Sequence, residues 1–224
     1  MKVKLINGSP NAENHIVEIA RVSSKRTDKT ADKSGLLNYL IAHNHWSPFE
    51  HAYFTMEIQT SKAIAIQLLR HRSFTFQEFS QRYSDVSILE NTNTNLHNWP
   101  EKFEAIELRR QAKTNRQSST DVIKRDWSGG RMIDAYGQIE KFLLDADWLY
   151  HSLMKQGVAR ECARMVLPLA TKTKLHMTGS VRSWIHFLKI RDDEHAQKEI
   201  QLIAKEIKTI LAPQLPTISK KLNW

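Results

Sequence analysis

The segment from His51 to Thr60 places the strongest constraint on the fold. Every second residue in it is apolar, in the order Ala52, Phe54, Met56 and Ile58. Successive side chains of a β-strand point to opposite faces, so this alternation predicts a strand with one buried face. Ser61 follows and can cap a helix that runs from Lys62 to about His71. The chain must therefore form a sheet whose apolar face is covered by other elements.

Helical periodicity predicts those covering elements. Apolar residues recur three or four positions apart from Ile139 to Leu153 and from Glu194 to Leu211, which favours amphipathic helices. Shorter helices are expected at 14–23, at Leu36–His43 and at Ala159–Met165. The pattern predicts a helix-rich protein of the α/β or α+β class, with residues 1–224 in one domain.

The region from 88 to 130 shows the least organisation. It contains the turn-rich run NTNTNLHNWP and the polar, basic run RRQAKTNRQSSTDVIKRDWSGG. Neither run follows the period of a helix or of a strand. We therefore interpret residues 88–130 as a possible insertion or mobile segment within the domain.

Charge and cysteine content limit the classes of function. A formal net charge of +9 favours an anionic partner, such as a nucleotide, a phosphate-bearing cofactor or a nucleic acid. Cys162 is the only cysteine in the sequence, so an internal disulfide is impossible and a reducing cytoplasm is the expected location. No apolar run approaches the roughly 20 residues of a membrane-spanning helix, so no membrane association is expected.

A dense group of polar side chains lies between Arg70 and Tyr83. Arginine offers a planar, permanently charged fork that suits phosphate. A solvated basic helix end would explain Arg-His-Arg alone, but it explains the whole string less well because apolar residues are interleaved with the polar ones. The string therefore favours binding of a nucleotide or phosphate-bearing cofactor. Its polar members are Arg70, His71, Arg72, Glu78, Ser80, Gln81 and Arg82.

This string resembles the signature of the flavin-dependent thymidylate synthases, which is Arg-His-Arg, seven residues and then serine. Here Arg70 to Arg72 are followed by seven residues and by Ser80, and Arg82 and Tyr83 continue the match. The resemblance implies a central, mostly antiparallel sheet and a homotetramer whose active sites lie at subunit interfaces. Outside about 88–130 it extends over most of the chain, through segments at Ala20–Ser23, His43–His51, Gly157–Leu169 and Arg182–Gln197.

The resemblance also implies residues for each ligand. Ser180 and His186 stand where many family members carry asparagine near the flavin, and Gln81 stands where glycine is common. The positions that match FAD contacts are Ser23, His45, Ser47, Glu50, Arg70, His71, Arg72, Glu78, Ser180, Arg182 and His186. The positions that match dUMP contacts are Gln67, Arg70, Glu78, Ser80, Gln81, Arg82, Arg164 and Arg191.

The implied reaction is the reductive methylation of dUMP to dTMP. The resemblance implies 5,10-methylenetetrahydrofolate as the one-carbon donor, reduced FAD as the hydride donor and NADPH as the reductant. Arg191, Ser80 and His45 are the candidate catalytic residues. Cys162 is expected to be a small buried residue on a helix rather than a nucleophile. The absence of a Gly-x-Gly-x-x-Gly run argues against a Rossmann motif for FAD.

Two other classes of function have weaker support. Zinc accepts the residue types found among His43, His45, Glu50 and His51, and Asp192–His195 is a second such group. The basic 109–131 stretch and six tryptophans are compatible with nucleic-acid binding. Because the arginines are concentrated in short motifs with interleaved acids, we expect no nucleic-acid partner. Because histidines also serve as core or cofactor-contact groups, and acids suit the N-terminal end of a helix, we expect no bound metal.

Overall fold

A four-stranded sheet forms around the predicted strand within the residues that the computed structural model describes, 1–22, 33–89, 102–125 and 134–224. The strands in these described residues are β1 (Lys2–Gly8), β2 (Tyr53–Ser61), β3 (Thr75–Glu78), β4 (Arg109–Gln111), β5 (Ser119–Val122) and β6 (Lys172–Ser180). The sheet order is β1-β2-β6-β3, and β4 and β5 form a separate antiparallel pair.

Backbone hydrogen bonds fix the strand directions. At one end of β2, the Val181 N–H donates to the Ala52 carbonyl, and at the other the Lys62 N–H donates to Thr171. The start of β2 thus pairs with the end of β6, and the end of β2 with its start, so the two strands are antiparallel. Along β2, Ala52, Phe54, Met56 and Ile58 are each at most 1% exposed, as the alternation predicts.

Helices occupy much of the remaining chain. Where the structure describes the chain, the α-helices are α1 (Ala12–Ala20), α2 (Lys33–Ala42), α3 (Lys62–Leu68), α4 (Ala135–Lys155), α5 (Arg160–Ala163), α6 (Val181–Arg191), α7 (Lys198–Leu211) and α8 (Pro216–Leu222). The mixed class of helices and antiparallel sheet is confirmed. Ser61 caps α3 as predicted, since its hydroxyl accepts from the Ile64 N–H at 3.4 Å. No helix in the described ranges is both long and apolar enough to cross a membrane.

One sequence prediction needs correction. The helix expected at Ala159–Met165 is only one turn of α-helix, and a 3-10 turn follows it at Arg164–Val166. After α7 the chain forms a further helix, α8, because Pro216 is suited to the first turn of a new helix.

The chain divides into two compact units. The first unit comprises Met1, 59–68 and 78–175. The second comprises 2–58, 69–77 and 176–224. The interpretation of residues 1–224 as one catalytic domain stays a prediction.

In the first unit, residues 102–125 pack against α4. Phe103 is buried with Tyr136 and Leu143, and it also forms a β-bridge with Thr171. Residues 90–101 and 126–130 of the proposed insertion lie outside the described residues, and the interpretation of 88–130 stays a prediction. Residues 102–125 are joined to the rest of the first unit by the apolar packing of Phe103 against α4.

In the second unit, Phe74 is the centre of an aromatic cluster. Its ring centroid lies 4.7 Å from that of Trp184 and 6.0 Å from that of Phe187, with the rings edge to face. Gly179 on β6 lies under the Phe74 ring: a Cβ at Gly179 would be 2.4 Å from Phe74 Cδ1. The missing side chain is therefore what allows the ring to pack onto the strand.

We predict that Gly179→Ala lowers the free energy of unfolding by about 1–3 kcal/mol, because the added methyl group must displace a buried ring. Phe74→Leu removes the ring that the new methyl group would strike, but on its own it also lowers stability because aromatic packing is lost. In a double-mutant cycle measured by urea unfolding, the double variant should lose less stability than the two single losses combined. If the two losses simply add, the cost of Gly179→Ala does not come from a clash with the Phe74 ring.

Candidate active site

Glu50 organises one part of the second unit. It lies in the 3-10 helix Ser47–His51. Its Oε2 accepts from the Ser180 hydroxyl at 2.6 Å, and its Oε1 accepts from Arg182 Nη1 at 2.8 Å. Ser180 also caps α6 by accepting from the Ser183 N–H at 3.2 Å. Three residues assigned to the flavin from sequence thus meet in one hydrogen-bonded group.

A cavity of about 480 Å³ in the second unit borders this group. Arg182, His186 and Lys189 share one face of α6 because they are four and three residues apart. Lys189 was not predicted as a site residue, although its spacing from Arg182 and His186 places it on the same helical face. The lining residues are Asn44, Trp46, Glu50, Ser73, Arg182, Ser183, Ile185, His186 and Lys189.

Arg191 and His71 form a second group in this unit. Arg191 Nε donates a hydrogen bond to His71 Nε2 at 2.9 Å, so His71 serves as the acceptor in its neutral form. Burial, followed by the positive charge of Arg191 and then by His186, lowers the pKa of His71 to about 4. Burial and the nearby Arg70 also lower the pKa of Arg191. A neutral histidine therefore orients the Arg191 guanidinium without cancelling its charge.

In the first unit, Glu78 is held by two donors. Lys62 Nζ and Thr173 Oγ1 each lie 2.8 Å from Glu78 Oε1. Neither partner was predicted from the sequence. The Ser61 cap marked the position of Lys62, but nothing in the sequence pairs β6 with the end of β3.

The remaining substrate positions of the first unit differ in exposure. Ser80 and Arg82 are exposed, and Arg82 lies 3.5 Å from Glu161. Gln81 is buried, and within the described residues its Nε2 and the Nε of Arg164 have no hydrogen-bond partner. Unpartnered buried donors are costly unless a ligand or water engages them, so these two atoms favour a binding role. Gln67 is partly buried in α3.

The other predicted positions that the structure describes are exposed. Arg70 and Arg72 follow the end of α3, and Ser47 begins the 3-10 helix that contains Glu50. His45 is exposed beside the stacked rings of Tyr39 and His43. Ser23 lies outside the described residues.

The structure corrects the expectation for Cys162 and bears on the metal alternative. Cys162 is exposed on the single turn of α5 and is not buried as expected. Among the described residues, no three histidine, cysteine, aspartate or glutamate side chains are grouped to hold a metal ion. Instead, Asp193 pairs with His195 at 2.8 Å.

We predict that His71 makes stability depend on pH. Its pKa is about 4 in the folded protein and about 6.5 when unfolded, so the unfolded state binds more protons between these values. Stability should therefore fall as the pH is lowered from 6.5 to 4. The slope of the unfolding free energy against pH gives the number of protons taken up on unfolding, and His71→Asn should reduce that number by about one in this range. His15→Asn, at an exposed histidine, is the matched control, and an unchanged slope in His71→Asn would contradict the assignment.

Comparison with known proteins identifies the family. Residues 4–217 match the thymidylate synthase complementing protein family. A probable flavin-dependent thymidylate synthase of Paramecium bursaria Chlorella virus 1 is 40% identical, covering 98% of this chain and 94% of the relative. A flavin-dependent thymidylate synthase of Synechocystis is 38% identical with the same coverage.

A solved structure gives the same result. The UMP/dUMP methylase PolB from Streptomyces cacaoi, bound with 5-Br UMP, is 26% identical with a TM-score of 0.78. The match covers 99% of this chain and 93% of PolB. The chain therefore belongs to the thymidylate synthase complementing protein family, the flavin-dependent thymidylate synthases, and is an enzyme of the methyltransferase type.

Proposed function

We propose that this chain catalyses the reductive methylation of dUMP to dTMP. The supporting observation is its similarity, over nearly its full length, to flavin-dependent thymidylate synthases. The one-carbon donor would be 5,10-methylenetetrahydrofolate, and NADPH would supply the reducing equivalents. FAD, when bound, supplies the hydride chemistry that the side chains lack.

The cavity of the second unit fits a cofactor such as FAD. Its volume is in the range of small-molecule sites, and it combines the ring of Trp46 with the cationic groups of Arg182 and Lys189. Those features suit a ligand that has a planar ring system and phosphates. The residues of the second unit that would hold FAD are the lining residues Glu50, Arg182 and His186, together with His45, Ser47, Arg70, His71, Arg72 and Ser180. Ser23, a further position for FAD, lies outside the described residues.

The remaining site residues would bind and activate the nucleotide. Arg82 and Arg164 carry the charge that a nucleotide phosphate needs, and Gln81 and Ser80 offer neutral donors beside them. Gln67, Arg70 and Glu78 would join this set. Arg191 would stabilise negative charge on the uracil ring, since its paired His71 is neutral and leaves the guanidinium charge available.

A homotetramer with active sites at subunit interfaces is part of this proposal. The long helix α4 exposes large apolar side chains, with Phe142 56% and Trp148 70% exposed. Exposed apolar side chains of this size favour contacts between chains. Sedimentation velocity would give the assembly state directly. The cytoplasmic location stays a prediction.

The proposal is tested by absorbance spectra of the purified, FAD-reconstituted protein under anaerobic conditions. We expect NADPH to bleach the flavin bands, and to do so faster when dUMP is present. Adding 5,10-methylenetetrahydrofolate should then yield dTMP, detected by chromatography. Failure to bind FAD, or flavin reduction without any dTMP, would contradict the proposed reaction.

We also predict that the reaction needs no cysteine nucleophile. Cys162→Ala should therefore keep dTMP formation within about twofold of the unchanged protein, because in the proposed reaction the chemistry is supplied by FAD and not by a thiol of the chain. Arg191→Leu is the matched loss-of-function variant, and its turnover should fall by about 100-fold or more. Loss of dTMP formation in folded Cys162→Ala would instead make the thiol part of the mechanism.

A further inference from the structure

The two partners of Glu78 come from different elements of the first unit. Lys62 is the first residue of α3, and Thr173 is the second residue of β6. Both donate to the same oxygen, Oε1, at 2.8 Å. Two donors in different elements fix both the position and the direction of the carboxylate.

Lys62 occupies an unfavourable place for a cation. The first turn of a helix carries partial positive charge, so a lysine there is disfavoured unless a negative group compensates it. Glu78 is that group, and the two side chains are only 27% and 20% exposed. Ser61, not Lys62, caps the helix. The lysine is therefore best explained by its contact with Glu78.

The second oxygen of Glu78 remains available. Within the described residues, Oε2 has no hydrogen-bond donor, whereas Oε1 has two. An ionised carboxylate only accepts hydrogen bonds, so its ligand must present an O–H or N–H group. The sugar and base of a nucleotide present such groups, and an ionised phosphate presents none.

We propose that Lys62 and Thr173 are positioning residues that direct Glu78 Oε2 toward an O–H or N–H donor on the sugar or base of the nucleotide. This inference rests on the proposed function. Lys62 has a second effect, because it offsets the negative charge that Glu78 would otherwise bring close to a phosphate-bearing substrate. Thr173 carries no charge, so its hydrogen bond helps to direct the Glu78 carboxylate without changing the net charge of the group.

Equilibrium dialysis of dUMP against the FAD-loaded protein tests the inference. Lys62→Met should weaken dUMP binding about tenfold, and Thr173→Val should weaken it severalfold, because each removes a donor to the carboxylate. The conservative variants Lys62→Arg and Thr173→Ser should recover most of the affinity. Lys113→Met, which removes an exposed lysine of the same unit, is the control for net charge and should bind dUMP normally.

Two further readouts separate positioning from mere stability. Thr173→Val should leave the affinity for inorganic phosphate unchanged, measured by competition with dUMP, since Glu78 would contact the sugar or base. In steady-state assays the dUMP KM should rise while kcat stays within a few-fold. Urea unfolding identifies any variant that fails to fold. If Lys62→Met fails to fold, the dUMP affinities of Thr173→Val and Thr173→Ser test the inference.

The outcomes also separate this inference from the proposed function. If the unaltered protein neither binds dUMP nor forms dTMP, the proposed function fails. If it does both, and folded Lys62→Met and Thr173→Val bind dUMP as tightly as the unaltered protein, the inference is overturned. The ion pair would then serve stability alone.

Discussion

The packing of Phe74 on Gly179 controls the geometry of the second unit. The ring lies on the bare backbone of β6 and also contacts Trp184 and Phe187 of α6. Phe74, which directly precedes β3, therefore packs against both β6 and α6. His71 lies three residues before Phe74, and its ring packs edge to face on Phe187 at 4.9 Å. The aromatic cluster thus brings His71 to Arg191 at the end of α6.

Three of the candidate ligand-binding side chains are held by partners through complementary hydrogen bonds. Glu50 is held through both oxygens, Glu78 through one, and Arg191 through its Nε. Held groups lose less freedom when a ligand binds, so more of the interaction contributes to affinity. The protein supplies few glycine-rich turns, with seven glycines in the sequence, so orientation depends on these side-chain pairs.

The sequence predicted the elements that local patterns determine. Alternating side chains identified β2, the helical period identified α4 and α7, and the string from Arg70 to Tyr83 identified the family. These signals lie in neighbouring residues, where period and capping act.

The missed features depend on pairing across long stretches of chain. Glu78 and Thr173 are 95 positions apart, and Glu50 and Ser180 are 130 apart. No local period encodes the register that joins them. The exposure of Cys162 was missed for a related reason, since the helical interpretation assumed a longer helix with a buried face. Ser180 and Glu50 were each predicted as flavin contacts, but their mutual hydrogen bond was not.

Ser180 illustrates how such pairing limits sequence drift. Its hydroxyl donates to Glu50 and at the same time accepts from the Ser183 N–H at the start of α6. A replacement must both donate and accept within a short side chain, which leaves threonine and asparagine as chemical equivalents. Aspartate could cap the helix but would repel Glu50, and alanine would satisfy neither neighbour. Divergence at this position is therefore confined to a small set of interchangeable residues, even though the position lies far from Glu50 in sequence.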